Sequence, residues 1–104
     1  MDNDTFAFIF DEFMSNCHST LVVKGKEYAT DDRLHNFKVA ANVIGCTPKQ
    51  ALGGFMAKHI VSIFDMVRTD QTYSRAQWDE KIGDAVNYLI LLKAIVEEEF
   101  ENAR

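Results

Sequence analysis

The chain has 104 residues, of which 47% are hydrophobic and 26% charged, with a formal net charge of −5. This length suits one hydrophobic core, so we predict a single all-α domain covering residues 1–104. An acidic chain lacks the clustered Lys and Arg that general nucleic-acid binding or attachment to anionic membranes requires. No apolar run reaches the roughly 18 residues of a membrane span, and the acidic N-terminus is unlike a secretory signal.

Two cysteines occur, Cys17 and Cys46, and they form neither a CxxC pair nor a zinc-binding spacing. We expect both to be reduced thiols, with a disulfide as the alternative reading. Reduced thiols favour a cytoplasmic location.

Four helices are predicted, without any strand pattern. The first covers residues 4–21, where apolar side chains recur at steps of three and four. Residues 22–33 break this pattern and contain Gly25, Thr30 and an Asp pair, so a loop is expected there. The second helix covers residues 32–44 and is followed by Gly45, which suits the left-handed residue that ends many helices.

The third and fourth helices begin with capping boxes. Thr47 and Gln50 form the first box around Pro48, and the helix that follows is predicted to run to residue 68. Ser74 and Gln77 form the second box, before a helix that runs to about residue 100. Short connections favour antiparallel neighbours, so the expected fold is a four-helix antiparallel bundle.

The fourth helix carries the most informative polar residues. Glu80, Asp84 and Asn87 share one face, because they are spaced by four and three residues. This face lies roughly opposite a predicted heptad-like seam. The rest of the helix is apolar nearly all round, which indicates burial on more than one side. Asp84 and Asn87 would then face an interior or an interface; the alternative is a solvated face. The predicted seam consists of Trp78, Ile82, Ala85, Leu89, Leu92 and Val96.

The third helix offers a counterpart to this face. Lys58 and Asp65 share a polar face and could meet Asp84 and Asn87 across two packed helices. The alternative is a surface ion pair of Lys58. His59 lies on or beside the apolar stripe, where a lone histidine is more often a hydrogen-bonded core residue than a ligand, and no HxxxH or HExxH motif is present.

The predicted loop concentrates positive charge beside an aromatic residue. Lys24 and Lys26 could hold a phosphate, and Tyr28 could stack on a base. Asn36 follows, near the start of the second helix. The alternative is a charged surface loop in which Tyr28 covers the core.

Three blocks of sequence resemble a known superfamily. They are residues 24–29 with Asn36 and Phe37, residues 58–63 with Asp65, and residues 78–88. Together they resemble small phage-type proteins related to the all-α nucleoside triphosphate pyrophosphatases, the MazG-like superfamily. The third block is the most specific, because it is similar to that superfamily's second acidic helix motif, E-x-x-x-D or E-x-x-D followed by an apolar helix.

The resemblance implies a helical, MazG-like bundle that forms a homodimer or homotetramer. It implies a hydrolase that cleaves nucleotides between the α and β phosphates with Mg²⁺ held by carboxylates. Glu80 and Asp84 would be catalytic metal ligands with Asp65 beside them, and Asn87 would support the nucleotide or the metal shell. With the residues singled out above, the predicted substrate-binding set is Lys24, Lys26, Tyr28, Asn36, Lys58 and Asn87.

The chain departs from the superfamily at the first acidic motif, which is E-x-x-E. Here the matching helix has Asp65 alone, with Lys58 nearby. Two alternatives to the hydrolase follow: a non-catalytic nucleotide binder in which Lys58 replaces the metal, and a phage accessory protein whose acidic surface contacts a host protein. Self-association is also expected because Phe8, Ile90 and Leu91 fall outside the predicted intramolecular stripes.

Overall fold

The computed structural model describes residues 1–28 and 31–103, apart from the side chains of Glu27 and Tyr28. All regular structure in these residues is helical, as predicted for an all-α protein. The chain divides into two compact units, Met1–Arg33 and Leu34–Arg104. No helix of the described residues is both long and apolar enough to cross a membrane. Cys17 and Cys46 both carry free thiols.

The first unit contains one uninterrupted helical stretch. Helix α1 spans Asn3–His18, a π-helical segment spans Ser19–Lys24, and helix α2 spans Gly25–Tyr28. Asp2 caps the stretch, because its carboxylate accepts a hydrogen bond of 2.8 Å from the backbone N–H of Thr5.

The prediction of a loop from Val22 onwards is therefore wrong for the residues up to Tyr28, which are helical. Gly25 is helical, with φ −58°, and it is buried. A Cβ atom on Gly25 would lie 3.0 Å from Nε of Arg33, closer than almost all real Cβ contacts. Gly25 thus makes room for the Arg33 side chain instead of forming a turn, and a glycine is ambiguous between these two uses in sequence.

The second unit contains the three remaining helices. Helix α3 spans His35–Ile44, α4 spans Pro48–Arg68, and α5 spans Arg75–Asn102. Helix α3 begins three residues after the predicted start, at His35. It ends where predicted, because Gly45 adopts the left-handed conformation with φ 83°.

Both predicted capping boxes are present. The Thr47 hydroxyl accepts a 3.2 Å hydrogen bond from the Gln50 backbone N–H, and the Gln50 side chain accepts one from the Thr47 N–H. Ser74 and Gln77 repeat this reciprocal pair at the start of α5. These caps satisfy backbone donors that a helix leaves unpaired, so they define where α4 and α5 begin.

The core of the second unit forms where α3 and α5 both pack against α4. Leu52 is completely buried at its centre, in contact with Leu34, Phe37 and Ile95. Leu52 pairs with Ile95 near one end of α4, while His59 lies beside Asp84 further along. The two long helices therefore run antiparallel. The half-buried side chains around this core are Met56, Tyr88, Leu91 and Leu92.

The buried face of α5 overlaps the predicted seam only in part. Ala85 is buried and Leu92 packs against the core as predicted, and Ile95 and Leu91 join them, whereas Ile82 and Leu89 are exposed. At about 100° per residue, the core-facing side is rotated by roughly 80° from the predicted seam, towards Asp84. A helix that is apolar on several sides offers more than one heptad-like series, and the pattern alone does not identify the one that packs.

Two ion pairs hold the acidic end of α5. Lys38 Nζ lies 2.6 Å from Glu98 Oε1, and Lys49 Nζ lies 3.0 Å from Glu99 Oε2. Acidic residues are unfavourable at the C-terminal end of a helix dipole, and these lysines offset that effect. The helix accordingly continues to Asn102.

Candidate functional site

Polar side chains meet between α4 and α5 in largely apolar surroundings. Nδ1 of His59 lies 3.7 Å from Oδ2 of Asp84, and the rings of His59 and Tyr88 have centroids 5.0 Å apart with a tilt of 35°. Asn87 follows Asp84 by three residues, on the adjoining turn of α5. We call these four residues the α4–α5 cluster.

The histidine and the carboxylate differ in their exposure. The His59 side chain is 18% exposed and the Asp84 side chain is 42% exposed, so the carboxylate remains open to a ligand. At 3.7 Å the two form an ion pair only when the imidazole is protonated. Because Asp84 is well solvated, this pair contributes little to stability, roughly 1 kcal/mol at most.

Asn87 contains a buried acceptor without a donor. Its Oδ1 atom is inaccessible to solvent and has no hydrogen-bond partner among the described residues. An unsatisfied buried carbonyl costs about 1–3 kcal/mol, and native proteins contain few of them. Such a group calls for an explanation, of which a donor supplied by a bound molecule is one.

The partner of Asp84 differs from the one expected. Lys58 is exposed and forms no ion pair with any described residue, while its neighbour His59 lies beside Asp84. One residue on a helix corresponds to a rotation of about 100°, enough to exchange a side chain at the helix interface for one outside it. The predicted meeting of Lys58 with Asp84 is therefore corrected to His59.

The acidic residues implied as metal ligands do not gather within one copy. Asp65 and Glu80 are both exposed. Among the side chains that the structure describes, no group of three or more His, Cys, Asp and Glu could hold a metal ion. Mg²⁺ is commonly held by one or two carboxylates together with waters and substrate phosphates. The roles of Asp65, Glu80 and Asp84 as metal ligands therefore stay predictions.

The predicted phosphate- and base-binding residues are distributed over both units. Lys24 and Lys26 are exposed in the helical stretch of the first unit, and Asn36 is exposed in the first turn of α3. The Tyr28 side chain lies outside the described residues. Roles for these four in binding stay predictions.

Two members of the cluster, His59 and Tyr88, were not expected to be functional. The available signal was spacing: Tyr88 follows Asp84 by four residues and therefore shares its face. His59 lies on the packing stripe of α4, so any polar residue opposite it on α5 would meet it. Neither inference is possible until the core-facing side of α5 is known.

Comparison with known proteins does not assign this chain to a family. No family model, no curated protein and no solved structure matches it. Its function must therefore be argued from its own residues and their geometry.

Proposed function

We propose that this protein binds nucleotides at the α4–α5 cluster. The observation that carries the proposal is the buried Asn87 Oδ1 without a donor, one turn from the accessible Asp84 carboxylate. Amide and carboxylate side chains recognise the amino and ring N–H groups on nucleobase edges. The ring of Tyr88, already packed on His59, adds an aromatic surface of the kind on which bases stack.

Lys58 is the cation best placed to meet the phosphates. It is exposed on α4, adjacent in sequence to His59, and an ammonium group forms charge-assisted hydrogen bonds with phosphate oxygens. Because Lys58 can supply positive charge at the phosphates, we propose nucleotide binding that does not require a metal, instead of hydrolysis. The resemblance of residues 78–88 to the acidic helix of nucleotide pyrophosphatases supports nucleotides as the ligand class.

We further propose that the protein self-associates. Phe64 and Val67 of α4 and Ile82 and Leu89 of α5 are exposed. At about 100° per residue, all four fall on the same flank of the antiparallel pair, opposite the flank that contains Asn87. A second copy on this flank would complete a four-helix arrangement without covering the flank that contains Asn87.

Calorimetric titration of a panel of nucleoside mono-, di- and triphosphates, with and without Mg²⁺, tests the binding proposal. We expect binding by at least one nucleotide in the presence of EDTA, and at least 10-fold weaker binding after Asp84→Asn. Asp79→Asn is the matched control, because it removes the same charge from an exposed position on the same helix. If no nucleotide binds, the proposal is wrong and the interaction-protein alternative stands.

Assays of product formation with the same nucleotides separate binding from hydrolysis. Release of pyrophosphate that depends on Mg²⁺ and disappears in Glu80→Gln would establish the hydrolase and overturn the metal-independent form of the proposal. Unchanged nucleotide after prolonged incubation with Mg²⁺ is the result we expect.

A further inference from the structure

The Asp84 carboxylate has two acceptor oxygens that no described residue satisfies. Its side chain is 42% exposed, and Nδ1 of His59 lies 3.7 Å from Oδ2, which is beyond hydrogen-bond distance. No other described residue donates a hydrogen bond to it. An ionised carboxylate only accepts hydrogen bonds, at both oxygens. The ligand group that suits Asp84 best therefore offers two neighbouring N–H donors.

Asn87 adds a third acceptor on the same side of α5. Residues three apart on a helix are neighbours, with about 5–6 Å between their Cβ atoms. Oδ1 of Asn87 is inaccessible to solvent and has no donor among the described residues. The terminal torsion of asparagine is broad, so the carboxamide turns towards a ligand at little conformational cost and gains the hydrogen bond that it lacks in the free protein.

Guanine is the common base whose edge matches these acceptors. Its Watson–Crick edge places the ring N1–H beside the N2 amino group, so two N–H groups point the same way and meet both oxygens of one carboxylate. The second amino hydrogen remains for another acceptor. Adenine, cytosine and uracil each place an acceptor beside their donor on this edge, and that acceptor would repel a carboxylate oxygen.

The aromatic neighbours of Asp84 suit a purine. Tyr88 follows Asp84 by four residues and shares its face of α5. The half-buried rings of Tyr88 and His59 have centroids 5.0 Å apart. They form an aromatic surface wider than one ring, and the two fused rings of a purine cover more of it than a pyrimidine does.

We propose that the α4–α5 cluster selects guanine nucleotides. Asp84 accepts hydrogen bonds from N1–H and from the N2 amino group, and Asn87 accepts the remaining amino hydrogen. This inference rests on the proposed nucleotide binding and adds the identity of the base. The phosphates remain with Lys58, which is exposed.

A change in the ligand tests the role of Asp84 in the unmodified protein. Inosine nucleotides are guanosine nucleotides without the N2 amino group. In calorimetric titrations with EDTA, we expect the mono- or triphosphate of guanosine to bind about 10-fold or more tightly than the matching inosine nucleotide. The matching adenosine, cytidine and uridine nucleotides should also bind about 10-fold or more weakly than the guanosine nucleotide.

Asp84→Asn should change the base preference, which a merely structural role would not do. Xanthine has an oxygen in place of the N2 amino group, and a carboxamide accepts from N1–H while donating to that oxygen. We expect the variant to bind the guanosine and inosine nucleotides equally, and the xanthosine nucleotide about 10-fold or more tightly than the unmodified protein does. Asp79→Asn is the control on the same helix, because Asp79 is exposed, and it should keep the guanine preference.

The outcomes distinguish the guanine assignment from nucleotide binding itself. If a nucleotide binds but the unmodified protein prefers another base, or does not separate guanosine from inosine, the guanine assignment is wrong and nucleotide binding stands. An unchanged base preference in Asp84→Asn, with circular dichroism showing a folded variant, also overturns the assignment. If no nucleotide binds, both proposals are wrong.

Discussion

Replacing Asn87 with leucine should stabilise the protein. The side chains have the same number of heavy atoms, and leucine removes a buried carbonyl that has no hydrogen-bond donor among the described residues. Relief of that unsatisfied group is worth about 1–3 kcal/mol. For a chain of this size about 1 kcal/mol shifts the melting temperature by roughly 4–8 °C, so Asn87→Leu should melt at least about 4 °C higher. Nucleotide binding should fall in the same variant, because the amide contributes to the proposed site.

Urea unfolding followed by circular dichroism measures this effect in nucleotide-free protein. Protein concentration is held constant, since the proposed self-association would make apparent stability depend on it. Asn42→Leu is the control, because Asn42 is exposed and its change should stay within about 0.5 kcal/mol. A loss of 1 kcal/mol or more in Asn87→Leu would mean that Oδ1 already has a donor in the free protein, which removes the observation behind the proposed site.

Three further predictions concern the fold. Leu52→Ala should destabilise by about 2–5 kcal/mol in urea because Leu52 is fully buried, whereas Val43→Ala, at 81% exposure, should have almost no effect; equal losses would contradict the core assignment. Gly45→Ala should cost about 1–2 kcal/mol in the same assay because of the positive φ at that position, and a neutral result would place α3's end elsewhere. A thiol reagent at pH 8 should modify Cys46 well before Cys17, because Cys17 is buried and burial raises its pKa, leaving less thiolate; this difference should vanish in denaturant.

Helix starts were predictable because their determinants are local. The boxes at Thr47 and Ser74 involve side chains and backbone within three residues, so they form whatever the helix later packs against. The left-handed Gly45 is local in the same sense. These three positions account for half of the boundaries of α3, α4 and α5.

Packing faces were less predictable because they depend on distant residues. The apolar series through Ile82 and Leu89 fits a helix interface as well as the series through Ile95 does, and contact with α4 decides between them. The helical path through Gly25 likewise depends on the Arg33 side chain that lies over it. Neither effect appears in a window of neighbouring residues.

The candidate site was located on the correct helix with the wrong partner for the same reason. Asp84 and Asn87 stood out because they interrupt an apolar helix, a property of the sequence itself. To decide whether Lys58 or His59 is their neighbour, the rotation of α4 about its axis must be known to within about 100°. Hydrophobic spacing defines that rotation loosely when a helix has apolar residues beyond one stripe, as α4 does at Phe64 and Val67.

The distribution of apolar residues around α5 therefore connects the nucleotide-binding proposal with the self-association proposal. One side of the helix packs on α4 through Ile95, and a second side exposes Leu89, where we propose that another copy packs. Asn87 lies on the remaining flank with an acceptor that nothing in the described chain satisfies. A helix that needed only to complete one core would be more stable with solvent-compatible residues at Leu89 and an apolar one at Asn87. Instead, the exposed position has leucine and the buried position has asparagine. This arrangement favours a partner on one flank and a polar ligand on the other.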